Sequence, residues 1–425
     1  LGRVVLGLTD ASAASSSWAK RATALFGPAA LIAVGYMDPG NWATDLAAGS
    51  AYGYLLLSVV MLASLLAIPM QVLACCLGIV SGRDLAACCR EFYPRPVYLS
   101  LWVLAEIGIV ACDLAELIGV ALALNLLFGL SIFAGVVLAA ADAILVLQFQ
   151  TSGFNRLEAY VLSVTVLIGA CLGIEILWAP PDGAAFLAGF IPHSRIVLDP
   201  GILYLAIGIV GATVMPHNLY LQSWLVLRND ASDRKAAIRT AAWTTSATLL
   251  LAFLVNVAIL VVAASVFHAA GRTDVADIRD AYALLTPLVG VAGASTLFAI
   301  ALLGSGANAT FTGTLAGQIV MEGFLKLRMK PWRRRLITRL AAVVPTLFVI
   351  AYTGDGTIGG LLVLSQVLLS VQLPFALVPL LHFVGSRRVM GDAVVPRWLL
   401  VTGWTITAVL IAADGKLILD AVLPS

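Results

Sequence analysis

The sequence predicts an all-α polytopic membrane protein of eleven transmembrane helices, arranged as two inverted five-helix repeats with discontinuous helices 1 and 6, and one further helix at the end. Composition is the first reason. Of 425 residues 61% are hydrophobic and only 11% charged, with a mean hydropathy of +1.01, values that exclude an ordinary soluble domain. Apolar runs of about 20 residues, the length that crosses ~30 Å of hydrocarbon as helix, recur from residue 22 onward, and they are continuous where a β-barrel would alternate. Finally, two of these runs are interrupted halfway by proline beside polar side chains: Asp38-Pro39-Gly40-Asn41 and Met215-Pro216-His217-Asn218.

Taken in order, residues 1–21 read as a cytosolic N-terminal segment, and no signal-peptide pattern is expected there. The spans then fall at 22–51, 54–80, 97–128, 131–149, 158–178, 200–227, 237–266, 283–325, 336–352, 357–383 and 396–422, the eighth being read as one long helix with a Gly/Asn-rich middle. The first five, 22–178, form one repeat and the next five, 200–383, the other; 396–422 is the added helix. Pro39 lies 17 residues into the first span and Pro216 lies 16 into the sixth, so both breaks sit near mid-membrane in helices that run in opposite directions.

Basic residues set the orientation. With a cytosolic N-terminus, twenty-one of the 25 lysines and arginines face the cytosol, and only Arg195, Arg272, Arg279 and Lys416 face outward. The N-terminus is therefore expected inside and, after eleven spans, the C-terminus outside. The run from Lys326 to Arg339 reads as a cytosolic topogenic loop in contact with the bilayer, not as a nucleic-acid site. Short loops and this charge bias fit a bacterial inner membrane. The six cysteines show no CxxC spacing, which argues against a disulfide framework or zinc site.

Proline in a spanning helix frees backbone carbonyls that cost several kcal/mol each if they face lipid. The half-helix ends around Gly35 and Ala212 would present such carbonyls with negative dipole character, which favours a cation. Beside them stand a carboxylate (Asp38), an amide oxygen (Asn41) and a thioether (Met215). Oxygen alone would suit Mg²⁺, Ca²⁺ or Na⁺, whereas the thioether shifts selectivity toward Mn²⁺, Fe²⁺ or softer ions such as Co²⁺, Zn²⁺ and Cd²⁺. The plainer reading, two kinked helices with Met215 merely packed, is disfavoured by the pairing of two breaks at equal depth.

A second polar feature lies in the third span. Glu106, Asp113 and Glu116 stand at i, i+7 and i+10, within about 80° on one helix face, where hydrated acids can pass a proton. His217 adjoins the second break and has the side chain that titrates nearest neutral pH. Arg339 in the ninth span is a candidate partner for the stripe, with snorkelling to the cytosolic surface as the simpler role.

DPGN paired with MPHN resembles the Nramp family of proton-coupled divalent transition-metal transporters. Asp113-Leu-Ala-Glu116, Gly313 through Gly323, Ile337-Thr-Arg339-Leu and Leu364-Ser-Gln366 resemble it too. The resemblance implies metal ligation by Asp38, Asn41, Met215 and the Ala212 carbonyl, with the Gly35 carbonyl and Gln366 joining in some conformations. It also implies alternating access on a fold similar to that of the amino-acid/sodium symporters, with a divalent metal and a proton as substrates. No resident cofactor and no enzymatic activity are expected, and a monomer is expected. Three positions depart from the family pattern: Gln222 replaces a second histidine, Ala307 stands where a glutamine often precedes Asn308, and Trp42 replaces a smaller aliphatic residue. The rival readings are a Mg²⁺ or organic-substrate transporter on the same architecture, or a membrane metal sensor.

Overall fold

A computed structural model describes residues 32–140, 154–228, 234–275, 277–327, 331–353 and 358–422. All the regular elements among them are helical. The chain opens with α1 (32–35), an unwound stretch 36–38, and α2 (Pro39–Tyr52), followed by α3 (Leu57–Ser81), the short α4 (Leu85–Phe92), α5 (Arg95–Phe128), α6 (132–140) and α7 (Phe154–Trp178). Two short surface helices, α8 (Gly183–Ala188) and α9 (Arg195–Leu198), lead to α10 (Pro200–Thr213) and α11 (Pro216–Leu225). The remainder is α12 (Arg234–Ala263), extended by a π-helical turn Ala264–His268, then α13 (Ile278–Val289), α14 (Ala294–Leu325), α15 (Pro331–Thr353), α16 (Ile358–Gln372), α17 (Pro374–Gly385), α18 (Arg387–Met390) and α19 (Arg397–Val422).

Seven helical stretches among the described residues are long and apolar enough to cross a membrane: Leu57–Ser81, Arg95–Phe128, Ala159–Trp178, Pro200–Leu225, Arg234–His268, Ala294–Leu325 and Ile358–Gly385. They match the second, third, fifth, sixth, seventh, eighth and tenth expected spans to within a few residues at most ends. Parts of the first and fourth spans, including Asp142, lie outside the described residues.

One expectation needs correction. The eighth span does not begin at residue 283 as one helix: α13 stops at Val289 and α14 starts at Ala294. Gly290 and Gly293 adopt φ of 74° and 93°, a left-handed backbone that side-chain-bearing residues rarely take, and so they turn the chain here. The tenth span stands as the stretch Ile358–Gly385, interrupted only at Leu373, just before Pro374, which brings no N–H to continue the ladder.

The core is built around the broken helices. Helix α5 packs most extensively on α14, α10 on α16, and α12 on both α2 and α3. The result places α2, α5, α10, α11, α14 and α16 about a common centre, with Leu65, Val103, Leu250, Phe348 and Val409 among the large apolar side chains left on the outside. An apolar exterior over a centre holding buried Asp, Glu, Asn and Gln is the inverse of a water-soluble arrangement, and it suits a bilayer.

Candidate functional site

Both breaks arise from the same covalent fact. A helical carbonyl accepts from the N–H four residues on; Pro39 stands four residues after Gly35 and Pro216 four after Ala212, so each carbonyl loses its helical donor. The chain leaves α1 through Met37, whose carbonyl accepts from Ser305 Oγ of α14, while the Tyr36 carbonyl accepts from Asn256 Nδ2 of α12 at 3.0 Å. Asp38 then caps α2, its Oδ1 accepting from the Asn41 backbone N–H at 2.9 Å. At the second break Met215 precedes α11 as its N-cap residue and makes no side-chain capping bond.

The two breaks meet at Asn41. Its Nδ2 donates to Asp38 Oδ1 at 2.7 Å and to the Ala212 carbonyl at 3.0 Å, while its Oδ1 accepts from Asn256 Nδ2 at 3.2 Å. A carboxylate oxygen and an orphaned carbonyl are thus aimed at one point occupied by a donor group. With the amide turned over, three oxygens would face that point, an arrangement that favours a cation. The second Asp38 oxygen, Oδ2, has no hydrogen-bond partner among the described residues. Asp38, Asn41, Ala212, Met215 and Gln366 are each at most 1% exposed, so any ion here is enclosed by protein.

Glycines let the surrounding backbones approach. The space a Cβ on Gly40 would fill is taken by the Gln366 side-chain amide, and the corresponding space at Gly211 by the Gln366 carbonyl. Gln366 therefore sits between the N-terminal turn of α2 and the last turn of α10. The same test at Gly35 meets the side chain of Asn218, whose amide atoms have no partner among the described residues.

The acidic stripe divides into two parts. A Cβ built on Gly313 of α14 would lie 2.7 Å from Glu116 Oε1 and 3.3 Å from Asp113 Oδ1, so these two buried acids share one cleft. Glu106, one face-repeat earlier, is half-buried and accepts from Trp102 Nε1 of its own helix at 3.0 Å. Between the acids and the second break lies Cys112: its Sγ is 3.8 Å from His217 Nε2 and donates to Glu116 Oε1 at 3.6 Å. Helix α5 is held to the first break as well, because the Pro39 ring fills the space beside Gly119. Arg339 lies in α15, and its side chain is outside the described residues.

The departures find their own partners. Gln222 is buried, with Nε2 donating to Thr245 Oγ1 at 3.0 Å and resting against Cys75 Sγ. Trp42 is fully buried and meets Phe298 edge-on, ring centroids 5.2 Å apart at 72°, which is a packing role. Next to Ala307, Asn308 Nδ2 donates to the Val161 carbonyl at 3.3 Å.

Sequence reasoning missed Asn256, Ser305, Cys112 and Asp45. Asp45 lies one turn beyond Asn41 on α2, is 1% exposed, and has an Oδ2 with no partner among the described residues. Each was visible as a polar or thiol group inside an apolar run, but its neighbours come from distant helices.

Comparison with known proteins shows the family. The sequence profile of the Nramp, natural resistance-associated macrophage protein-like, family matches residues 29–420. A divalent metal cation transporter MntH of Xanthomonas campestris is 53% identical over 98% of this chain and 96% of its own length. The crystal structure of an Eremococcus coleocola manganese transporter superposes with a TM-score of 0.85 at 36% identity, covering 98% of this chain and 91% of that one. The crystal structure of MhsT in complex with L-phenylalanine shares the fold alone, with a TM-score of 0.63 at 14% identity over 93% of this chain and 98% of that one. The chain is a multi-pass membrane protein and belongs to the Nramp family.

Proposed function

We propose that this protein imports divalent transition metals, Mn²⁺ or Fe²⁺ foremost, coupled to protons and by alternating access. The observation that carries the reading is the convergence of Asp38 Oδ1 and the proline-orphaned Ala212 carbonyl on Asn41, with Met215 three residues beyond Ala212 in the same unwound break. The relatives' names, divalent metal cation transporter and manganese transporter, support it.

In this reading the metal exchanges most of its water for Asp38, the Asn41 amide oxygen, Met215 Sδ and the Ala212 carbonyl, and the Gly35 carbonyl and Gln366 join as the half-helices move. Asp38 supplies the counter-charge. The thioether favours ions that accept a soft donor over Mg²⁺ and Ca²⁺, which prefer all-oxygen shells. Entry of the metal's charge disfavours a proton nearby, and the chain His217, Cys112, Glu116, Asp113 offers it a route along α5 toward Glu106, with Arg339 as the charge partner of the stripe. A potential negative inside contributes about 2.3 kcal/mol per charge per 100 mV to inward movement.

The protein sits with its N-terminus cytosolic and its C-terminus outside, residues 22–178 and 200–383 acting as inverted repeats, and it works as a monomer. The test is Mn²⁺ uptake by the purified protein in proteoliposomes, with Fe²⁺, Zn²⁺, Cd²⁺ and Mg²⁺ as competitors and a pH dye inside. Mn²⁺ uptake with internal acidification is expected, the Mn²⁺ flux reduced by Cd²⁺ and indifferent to Mg²⁺. Equal competition by Mg²⁺ points to the hard-ion rival, and binding without flux to a sensor.

A further inference from the structure

The asparagines of the two breaks hold equivalent places and are answered unequally. Asn41 stands two residues after Pro39 and Asn218 two after Pro216, while Gly35 and Ala212 stand four residues before those prolines and carry the carbonyls that the prolines orphan. Asn41 crosses from the first break to the second, its Nδ2 donating to the Ala212 carbonyl at 3.0 Å. Asn218 makes the reverse crossing. Its side chain occupies the space that a Cβ on Gly35 would need, with Oδ1 3.1 Å from that position and Nδ2 closer still. This crossing ends without a bond: Asn218 is fully buried, neither of its amide atoms has a partner among the described residues, and no hydrogen bond among those residues reaches the Gly35 carbonyl.

A buried amide with both ends unanswered, set beside an orphaned carbonyl, forfeits hydrogen bonds that water would supply, and it calls for a partner that another conformation provides. An amide N–H is the natural partner of a carbonyl, and the Asn218 amide already lies against the residue that carries one. Rotation of the amide, or a small slide of α1 along α11, closes the gap.

We propose that Asn218 is a positioning residue, the counterpart of Asn41, which donates to the Gly35 carbonyl when the half-helices have moved and the site holds no metal. In the conformation described, the Ala212 carbonyl is answered and the Gly35 carbonyl is not; in the opposite conformation the assignment reverses. The Gly35 carbonyl then turns to the metal on the loaded passage and to Asn218 on the empty return. Without that donor the empty return leaves a bare carbonyl at mid-membrane, so this step slows while the loaded passage does not. The role in transport rests on the proposed function; the pairing of Asn218 with Gly35 does not.

The test follows radiolabelled Mn²⁺ in proteoliposomes in two modes: net uptake into metal-free vesicles, which requires return of the empty protein, and exchange into vesicles preloaded with Mn²⁺, which does not. Asn218→Leu, close in size and without an amide, should slow net uptake at least about tenfold and leave exchange within about twofold of the parent. Asn218→Ala, which adds no bulk, should show the same split and serves if the leucine variant folds poorly. Equal loss in both modes, or loss in neither, overturns the proposal, because a purely structural role or a ligand role would touch both modes alike. The pairing is read separately from melting temperatures of the purified metal-free protein. Gly35→Ala should lower that of the parent by several degrees and leave that of Asn218→Ala almost unchanged; equal lowering in both backgrounds overturns the pairing. A parent protein that neither accumulates nor exchanges Mn²⁺ overturns the proposed function and this transport role with it, while the melting temperatures still decide the pairing.

Discussion

The two breaks look alike in sequence and are built differently. The first is a polar corner: Asp38 caps α2 and holds Asn41, while Asn256 of α12 and Ser305 of α14 donate to the Tyr36 and Met37 carbonyls. The second has no side-chain cap and offers only a freed carbonyl and a thioether. In the proposed function one break supplies charge and the other supplies discrimination through Met215.

That division makes the breaks unequal under mutation. Asp38→Ala removes both the only formal counter-charge in the cluster and the α2 cap, so Mn²⁺ uptake in proteoliposomes should fall by about 100-fold or more. Flux within a few-fold of the parent would mean that the first break does not hold the metal. Met215→Ala should leave Mn²⁺ transport measurable yet weaken Cd²⁺ by about tenfold relative to Mg²⁺ and Ca²⁺. If the Cd²⁺ to Mg²⁺ ratio of uptake rates does not move, the sulfur only packs.

The proposed proton route predicts smaller and more selective effects. Glu116→Gln keeps the shape of the cleft at Gly313 but removes a titrating group. Metal-evoked acidification should drop while Mn²⁺ uptake stays within about threefold of the parent. Cys112→Ala should reproduce this loss of coupling in part, and unaltered coupling in both variants would make the α5 acids structural. Gln222→His should change least, about 1 kcal/mol of stability as the hydrogen bond to Thr245 is exchanged, readable as a small shift in melting temperature. A large gain in proton flux would show instead that Gln222 limits the pathway.

Much of this was legible in the chain because a membrane makes local chemistry conspicuous. Pro39 and Pro216 announce their breaks without any tertiary information, and the carbonyls they orphan follow from helix geometry. The long helices were readable from apolar length, whereas the turn at Gly290 to Gly293 was not, since its small residues sit inside an otherwise apolar run. Asp113 and Glu116 share a face by periodicity, but what they face does not follow from it. The bridge from Glu116 through Cys112 to His217 joins α5 to α11, positions 105 apart in sequence, and Asn256 reaches Tyr36 across 220. Local pattern finds the groups that lipid would reject; only the packing of distant helices says which of them answer one another.

The central claim is that Asp38 and Met215 hold one metal ion between the two breaks. Calorimetric titration of the purified protein with Cd²⁺ tests it most directly, run on the parent, Asp38→Ala and Met215→Ala in parallel. A single site per chain is expected, abolished by the first substitution and weakened about tenfold by the second. Cd²⁺ binding that survives both substitutions unchanged would contradict the account.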